Sequence, residues 1–248
     1  MAKDYFRFKQ FTVHQELCGM KVGTDSTLLG AWAKGGNTVL DIGTGTGLLA
    51  MMMAQRFAQA VVTAIDIDSN AVRQAIDNIA ASPFASRISV VEIDARRFEC
   101  IDKHKFSTSS DHSEGGLAQK FEAIVCNPPY FVNSLESPDA QRTLARHACM
   151  LSYSELISIV KRLLTDNGEF SVVIPFDSKD LLEREAVLQG LFKVRQCAVR
   201  TTPRKMPRRY LMAFSKHYRE VETEEGTIEE HQGKRSEWYK QMTDDFYL

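Results

Sequence analysis

Short apolar runs and longer amphipathic stretches alternate along the chain from residue 38 onward. This alternation is typical of β-strands and α-helices that succeed one another around a largely parallel sheet. The apolar runs predict seven strands: "TVLDI", "VVTAID", "SVVEID", "FEAIVCN", "EFSVVIP", "LFKVRQCAVRT" and "RRYLMAFSKHY". The amphipathic stretches predict four helices: "LLAMMMAQRF", "SNAVRQAIDNIA", "SELISIVKRLL" and "SKDLLEREAVLQ". No helix pattern separates the last two strands, so we expect an antiparallel pair at one edge of an α/β sheet.

Three segments fall outside this pattern. Residues 1–35 precede it and form a separate N-terminal extension. Residues 36–219 carry the strands and helices, and residues 220–248 form an acidic and then aromatic C-terminal tail. The polar stretch 107–119, "STSSDHSEGGLAQ", predicts a flexible surface insertion between the third and fourth strands.

Composition excludes several classes of protein. The chain has 248 residues, of which 44% are hydrophobic and 25% charged, which is ordinary for a globular protein. No apolar stretch approaches the ~18 residues that a membrane span needs, and the N-terminus lacks the apolar centre of a signal peptide, so we expect a cytoplasmic protein. The five cysteines are scattered, with no close pair that would indicate zinc or a redox dithiol, so we expect no metal.

A glycine-rich turn follows the first predicted strand in "VLDIGTGTGLLA". Asp41 ends the strand, and Gly43, Gly45 and Gly47 lie in the turn that opens the first helix. Glycines let a ligand approach the backbone closely, and a helix N-terminus attracts anionic groups. The turn therefore predicts a ligand site, although tight turns without a ligand also use glycine. Read from Gly45, the same letters fit a dinucleotide fingerprint with Asp66 about twenty residues on, so this loop alone leaves NAD open.

Acidic residues end three neighbouring predicted strands: Asp41, Asp66 and Asp94. The carboxyl ends of the strands are the edge at which open α/β sheets bind ligands. Asp66 is placed to accept both hydroxyls of a ribose, and Asp94 to accept from the exocyclic amine of a base. The alternative is that such aspartates only cap the following helices. An acid-rich pocket suits a cationic sulfonium better than a pyrophosphate, which favours S-adenosyl-L-methionine over NAD.

The fourth predicted strand ends in "CNPPYF". An amine conjugated to a ring or carbonyl is a poor nucleophile, and hydrogen-bond acceptors aimed at its protons free its lone pair. Asn127 offers a side-chain oxygen and Pro128 a backbone carbonyl, while Pro128 and Pro129 fix the backbone and Tyr130 can stack on a planar base. The turn therefore predicts a catalytic site that presents a planar amine to a methyl donor. The alternative is a simple turn, since Asn-Pro and Pro-Pro are common there.

Together these motifs resemble the class I S-adenosylmethionine-dependent methyltransferases. That family has a Rossmann-like, seven-stranded mixed sheet whose last strand is antiparallel. The resemblance implies that the glycine turn carries the methionine end of the cofactor, that Asp66 holds its ribose and that Asp94 holds its adenine. It also implies that Asp41 orders the turn from below. The Asn-Pro-Pro-Tyr turn is shared by enzymes that act on adenine, on guanine of ribosomal RNA and on glutamine of release factors.

Two other regions resemble the bacterial tRNA(Val) adenine-N6 methyltransferases, which modify adenine 37 next to the anticodon. These are "FKQFTVHQELCGMKVGTDSTLLGAW" in the extension and "QRTLARHA" after the catalytic turn, and the tail "EWYKQMTDDFYL" is similar as well. The resemblance implies that the extension packs over the cofactor site, with Lys21, Thr24 and Asp25 over the methionine end. It implies that the tail packs on the same domain. The insertion at residues 107–119 is longer than expected for that family.

Positive charge is concentrated toward the end of the predicted domain. Residues 193–219 contain no acidic residue, and such a cluster predicts phosphate binding. The alternative is a solvated basic hairpin balanced by the acidic run "EVETEEGTIEE" behind it. The candidate RNA-binding residues are Arg204, Lys205, Arg208 and Arg209 in the hairpin, and Arg142, Arg146 and His147 after the catalytic turn.

The leading hypothesis is methyl transfer from S-adenosyl-L-methionine to the N6 amine of an adenine in a tRNA anticodon loop, whose bases unstack readily. The identity of the tRNA and of the nucleotide rests on the resemblance. The alternatives are the same chemistry on release-factor glutamine, ribosomal guanine or another adenine, a non-catalytic RNA-binding module, and an NAD-linked oxidoreductase. We expect a monomer that binds the tRNA anticodon stem-loop and no membrane.

Overall fold

The computed structural model describes residues 4–19, 21–99, 120–128 and 151–248. Within these ranges the strands are β1 (Tyr5–Arg7), β2 (Thr12–His14), β3 (Thr38–Ile42), β4 (Val61–Asp66), β5 (Ile88–Glu92), β6 (Phe121–Cys126), β7 (Leu164–Pro175), β8 (Phe192–Arg200), β9 (Arg209–Ser215), β10 (Glu222–Thr227), β11 (Glu229–His231) and β12 (Lys234–Arg235). The α-helices are α1 (Thr24–Trp32), α2 (Leu48–Arg56), α3 (Ser69–Ala80), α4 (Tyr153–Leu163), α5 (Lys179–Leu188) and α6 (Glu237–Thr243). The predicted insertion at residues 107–119 lies outside the described residues.

The main sheet has the strand order β10-β8-β9-β7-β6-β3-β4-β5. Strands β3 to β7 pair in parallel, and β9 runs antiparallel to both β7 and β8. The predicted α/β class, with its antiparallel last predicted strand, is therefore confirmed.

The described part of the chain contributes eight strands to this sheet, one more than the seven predicted. The additional strand is β10, which lies in the predicted tail and pairs in parallel with β8, so the prediction that the β8–β9 pair forms the edge is wrong. Its first four residues are exposed, so no apolar alternation marks it as a strand. Two ion pairs also join β10 to β8. Arg200 lies 3.1 Å from Glu225, and Arg195 lies 3.7 Å from Glu222.

Apolar side chains are buried on both faces of the sheet, which explains the nearly continuous apolar runs of its strands. In β3, for example, Val39 belongs to one core cluster and Leu40 to the other. The first cluster lies under α1 and α2, and the second lies under α4 and α5.

Helix α1 lies in the predicted extension and was not expected as a helix. It is buried from Thr27 to Trp32 and packs against α2, so it lacks the polar stripe that reveals a surface helix. The two helices approach closely at Gly30, where a Cβ atom would lie 2.6 Å from the Met52 sulfur. The absence of a side chain at Gly30 therefore permits this close approach.

The two ends of the chain pack on each other. The Phe8 ring stacks on Tyr247 with centroids 5.7 Å apart, and the Lys9 amide donates to the Phe246 carbonyl at 2.8 Å. Helix α6 also contacts α1. The domain boundaries at residues 35 and 219 stay predictions. No helix in the described ranges combines the length and apolar character needed to cross a bilayer.

Candidate active site

The carboxyl ends of β3, β4 and β6 meet at one edge of the sheet and border a cavity of about 410 Å³. Apolar residues such as Ile42 and Leu156 form much of its wall. Asp66, Asp94 and Asn127 also line it, so the structure brings the two predicted ligand-binding acids and the predicted catalytic asparagine to one cavity. A smaller cavity of about 40 Å³ adjoins the glycine turn and again includes Asn127.

Two residues of the glycine turn, Gly43 and Gly45, line both cavities. Their φ angles are +72° and +56°, which L side chains rarely adopt. A Cβ atom built on either residue would meet nothing within 4 Å, so the backbone is open to close approach by a ligand. Gly47 differs, because a Cβ atom there would lie 3.2 Å from the Ile79 side chain. Gly47 therefore permits packing against α3.

Asp41 lies fully buried below the turn. One of its carboxylate oxygens accepts from the Thr44 hydroxyl at 2.6 Å and from the Ala50 amide at 3.1 Å. Its other oxygen has no hydrogen-bond partner among the described residues. Burial, partly offset by the Thr44 hydrogen bond, raises the pKa of Asp41 from its ordinary 3.8 to about 7. Asp41 thus joins the turn to the first turn of α2.

Asp66 ends β4 beside the glycine turn. Its Oδ2 accepts from the Gly45 amide at 2.9 Å, and its Oδ1 accepts from the Asp68 amide at 3.0 Å. Each oxygen keeps lone-pair capacity for another donor. The two backbone amides fix the carboxylate in a cavity that is large enough for a ligand.

Asp94 follows β5 and is held by a residue that the sequence reasoning missed. Arg96 donates from Nη2 to Oδ2 at 2.7 Å and from Nε to both carboxylate oxygens at 2.9 Å. The Arg96 side chain holds the pKa of Asp94 below its ordinary value, and it also reaches Glu155 at 3.4 Å. Asp94 is therefore kept ionised by a neighbouring cation in this cavity.

Asn127 follows β6, between the two cavities. Its Nδ2 donates to the hydroxyl oxygen of Ser26 at 2.8 Å. Its Oδ1 is buried and has no hydrogen-bond partner among the described residues. Pro128 lines the larger cavity beside it. Ser26 is a second residue that the sequence reasoning missed, and its separation of 101 positions from Asn127 left no local signal for the contact.

The segment before α1 borders the site. Cys18 lines the larger cavity and Lys21 the smaller one. Thr24 and Asp25 line neither cavity. Helix α1, which begins at Thr24, contacts α6, and Asp25 forms an ion pair with Arg209.

The basic hairpin connects β8 and β9. Arg204, Lys205 and Arg208 are exposed, whereas Arg209 is partly buried by its ion pair with Asp25. Backbone hydrogen bonds hold the base of the hairpin, since the Arg208 amide donates to the Val199 carbonyl at 3.0 Å. Three cationic side chains of the predicted cluster therefore reach solvent, and the fourth is anchored to α1.

An aromatic pair lies beside this hairpin. The ring of Phe176, which is 42% exposed, lies 6.0 Å from the Tyr210 ring, and Lys179 lies 5.8 Å above the centre of the Tyr210 ring. The Phe176 amide donates to the Arg208 carbonyl at 3.0 Å. The pair lies at the carboxyl end of β7, the same sheet edge as Asn127.

Several predicted site residues lie outside the described residues: Pro129, Tyr130, Arg142, Arg146 and His147. In the part of the chain that the structure describes, no group of three or more His, Cys, Asp or Glu side chains is placed to hold a metal ion.

Known proteins match this chain over its full length. The model of a family described as "Methyltransferase domain" matches residues 33–239. A tRNA1(Val) (adenine(37)-N6)-methyltransferase of Bacteroides fragilis is 43% identical over 250 residues, covering 100% of this chain and 99% of the relative. A protein of the same name from Tolumonas auensis is 39% identical over 251 residues, covering 100% and 98%.

Among solved structures, a predicted O-methyltransferase of Agrobacterium tumefaciens superposes with a TM-score of 0.60 at 18% identity, covering 90% of this chain and 96% of that one. This likeness supports the fold alone. The full-length relatives confirm the resemblance found in the sequence. The chain therefore belongs to the methyltransferase family that includes the tRNA1(Val) (adenine(37)-N6)-methyltransferases.

Proposed function

We propose that this protein transfers a methyl group from S-adenosyl-L-methionine to the N6 amine of adenine 37, next to the anticodon, in tRNA1(Val). The observation that carries the proposal is the similarity to enzymes of that name along the whole chain, including the N-terminal extension and the C-terminal segment. The reaction belongs in the cytoplasm, where tRNA is found, and we propose that a monomer carries it out.

The residues around the larger cavity fit S-adenosyl-L-methionine, which supplies an electrophilic methyl group on a sulfonium when bound. The open backbone at Gly43 and Gly45 accommodates the methionine end. Asp66 is assigned to the ribose hydroxyls, because its two oxygens are fixed by backbone amides and retain lone pairs. Asp94 is assigned to the adenine amine and shares its carboxylate with Arg96.

The residues of the extension and the strand below the turn support this arrangement. We assign Lys21, which lines the smaller cavity, to the methionine end of the cofactor. We assign Asp25 to holding α1 in place, since its side chain pairs with Arg209, and Thr24 to the start of that helix. Asp41 orders the glycine turn through Thr44.

The Asn127 amide oxygen is suited to activate the substrate amine. A buried acceptor without a partner costs about 1–3 kcal/mol, so this oxygen favours a ligand that brings a hydrogen-bond donor. The N6 amine of adenine brings two donors, and a second acceptor is available at the Pro128 carbonyl. Accepting both protons localises the nitrogen lone pair toward the methyl donor. Pro129 and Tyr130 complete the site in our proposal, the proline by stiffening the turn and the tyrosine by stacking on adenine.

The basic hairpin and the aromatic pair provide a surface for the anticodon stem-loop. The exposed side chains of Arg204, Lys205 and Arg208 would neutralise phosphates. Phe176 is exposed beside them and can stack on an unpaired base. We also assign phosphate contacts to Arg142, Arg146 and His147, which follow the catalytic turn in sequence.

Methylation of defined transcripts tests the proposal. The purified protein is incubated with labelled S-adenosyl-L-methionine and tRNA1(Val) transcripts that carry either adenine or guanine at position 37. We expect methyl transfer only to the adenine transcript, with N6-methyladenosine as the product in nucleoside mass spectrometry. Asn127→Ala should lower kcat by about 10²–10³ while the protein still binds the cofactor, because it removes one acceptor of the developing transition state.

A release factor serves as the competing substrate in the same assay. Label that enters only the release factor would replace tRNA by a protein glutamine as the substrate. Label in the guanine transcript would refute the assignment to adenine 37. Full activity of Asn127→Ala would refute the assigned role of its amide oxygen.

A further inference from the structure

Helix α1 joins three separate parts of the molecule. It contacts α6, Asp25 pairs with Arg209 at the start of β9, and Ser26 accepts from Asn127 after β6. The helix is thus held by the C-terminal helix and by the basic hairpin, and its third residue contacts Asn127. This places the Ser26 hydroxyl at a fixed position relative to the site.

The orientation of the Asn127 amide decides whether the site can work. An asparagine amide carries an acceptor oxygen and a donor NH₂ group that exchange places when the amide turns over. The substrate amine must donate, so it needs the oxygen. An overturned amide would present its own NH₂ group to the substrate amine, and the two sets of donors would repel each other.

Ser26 supplies the contact that holds the amide in the orientation seen in the structure. Its hydroxyl oxygen lies 2.8 Å from Nδ2, and Oδ1 has no partner among the described residues. In this orientation the hydrogen bond holds the NH₂ side of the amide at Ser26 and leaves the oxygen available. Ser26 also lines the smaller cavity together with Asn127 and the glycine turn.

We propose that Ser26 is a positioning residue that holds the Asn127 amide with its oxygen available to the substrate amine. The inference rests on the proposed function of Asn127 and adds a residue of the N-terminal extension to the catalytic apparatus. It requires no contact between Ser26 and the substrate.

Substitution of the hydroxyl tests the proposal through a separation of kcat from KM. Ser26→Ala should lower kcat about ten-fold, the effect expected for the loss of one hydrogen bond that orients a reacting group. The KM for tRNA and the affinity for S-adenosyl-L-methionine should stay within about two-fold of wild type. Ser26→Thr retains a hydroxyl and should restore most of the activity. Ser158→Ala, an exposed helical serine on α4, is the matched control and should behave as wild type.

Combining Ser26→Ala with a change at position 127 shows whether Ser26 acts by orienting the Asn127 amide or only by stabilising the surrounding structure. Asn127→Asp places an acceptor oxygen on both sides of the group, so orientation no longer matters there. In that background Ser26→Ala should lower kcat by less than it does in the wild type, because an overturned side chain still presents an acceptor oxygen to the substrate amine. An equal loss of kcat in both backgrounds, or an equal loss in Ser26→Ala and Ser26→Thr, would overturn the proposal.

NMR tests the same contact without a substrate. The side-chain amide resonances of Asn127, identified by their disappearance in Asn127→Ala, should shift in Ser26→Ala and return toward their wild-type positions in Ser26→Thr. Resonances that do not respond to Ser26→Ala would refute the contact, whichever amine the enzyme methylates. Failure of the proposed function gives a different result: wild-type protein inactive on the tRNA transcript, with amide resonances that still respond to Ser26.

Discussion

Replacement of Asp41 by asparagine should change how the stability of the protein depends on pH. Asp41→Asn keeps a side-chain oxygen for the Thr44 hydroxyl and the Ala50 amide but removes the ionisable group. In the wild type, folding raises the pKa of this carboxyl from 3.8 to about 7, with burial as the main cause and the nearby Asp66 as a further one. Between pH 3.8 and about pH 7, the Asp41 carboxyl therefore holds a proton in the folded protein that it has released in the unfolded chain.

The sign and size of the effect follow from this difference. The contribution of Asp41 to the free energy of unfolding is greatest below pH 3.8, and it is lost as the pH rises through about 7. Between about pH 5.5 and about pH 8 the loss amounts to about 2 kcal/mol, since each pKa unit corresponds to ~1.4 kcal/mol. Asp41→Asn has no ionisable group at this position. Between these two pH values, its free energy of unfolding should therefore fall by about 2 kcal/mol less than that of the wild type.

Urea unfolding at the two pH values measures the difference, and the slope of the transition shows whether the unfolded states are comparable. Asp77→Asn is the matched control, because Asp77 is exposed on α3 and its replacement should leave the wild-type pH dependence in place. Identical pH dependence of stability in wild type and Asp41→Asn would refute the reasoning. It would mean that the buried carboxyl ionises without cost.

Three further changes have defined expected outcomes. Gly45→Ala should weaken binding of S-adenosyl-L-methionine by about ten-fold in calorimetry, because its φ of +56° disfavours a side chain by ~1–2 kcal/mol and the Cβ atom would enter the cavity. The double change Arg204→Ala and Arg208→Ala should weaken tRNA binding and lower the salt dependence by about one unit of slope per cation, measured by filter binding at several salt concentrations. Gly30→Ala should lower the free energy of unfolding by about 1–3 kcal/mol through overpacking against Met52, with little effect on the KM for tRNA.

Each of these has a control in the same chain. Gly233→Ala imposes similar strain at a φ of +81° in a position that lines neither cavity, so it should leave cofactor affinity unchanged. Arg184→Ala removes an exposed cation on α5 and should leave tRNA affinity unchanged. Equal effects of Gly45→Ala and Gly233→Ala on cofactor binding would contradict the assigned role of the turn, and unchanged tRNA affinity after loss of both hairpin arginines would contradict theirs.

The sequence predicted those strands of the sheet whose buried residues form recognisable apolar runs. The parallel strands have apolar residues on both faces, and their runs stand out against the amphipathic helices. Strand β10 escaped prediction because its first four residues are exposed and it is held by backbone pairing and by ion pairs with β8. Helix α1 escaped for the opposite reason, since burial from Thr27 to Trp32 removed its polar stripe.

The site residues that lie at the carboxyl ends of strands could be predicted from the sequence. Asp66, Asp94 and Asn127 each follow a strand that points to one edge of the sheet, so their convergence follows from topology. The residues that hydrogen-bond to these side chains could not be predicted from the sequence, because contacts such as the one from Asn127 to Ser26 depend on how α1 packs. Arg96 lies only two residues from Asp94, yet an arginine in that place is equally compatible with a solvated side chain.

The packing of the two ends of the chain sets the order in which the protein can mature on the ribosome. Phe8 can stack on Tyr247 only after residue 247 has been made, so a segment made first finds its partner in a segment made last. At translation rates of ~5–20 residues per second the interval between residues 8 and 247 is roughly 10–50 s. The contacts between the two ends therefore form after the strands of the main sheet have been made.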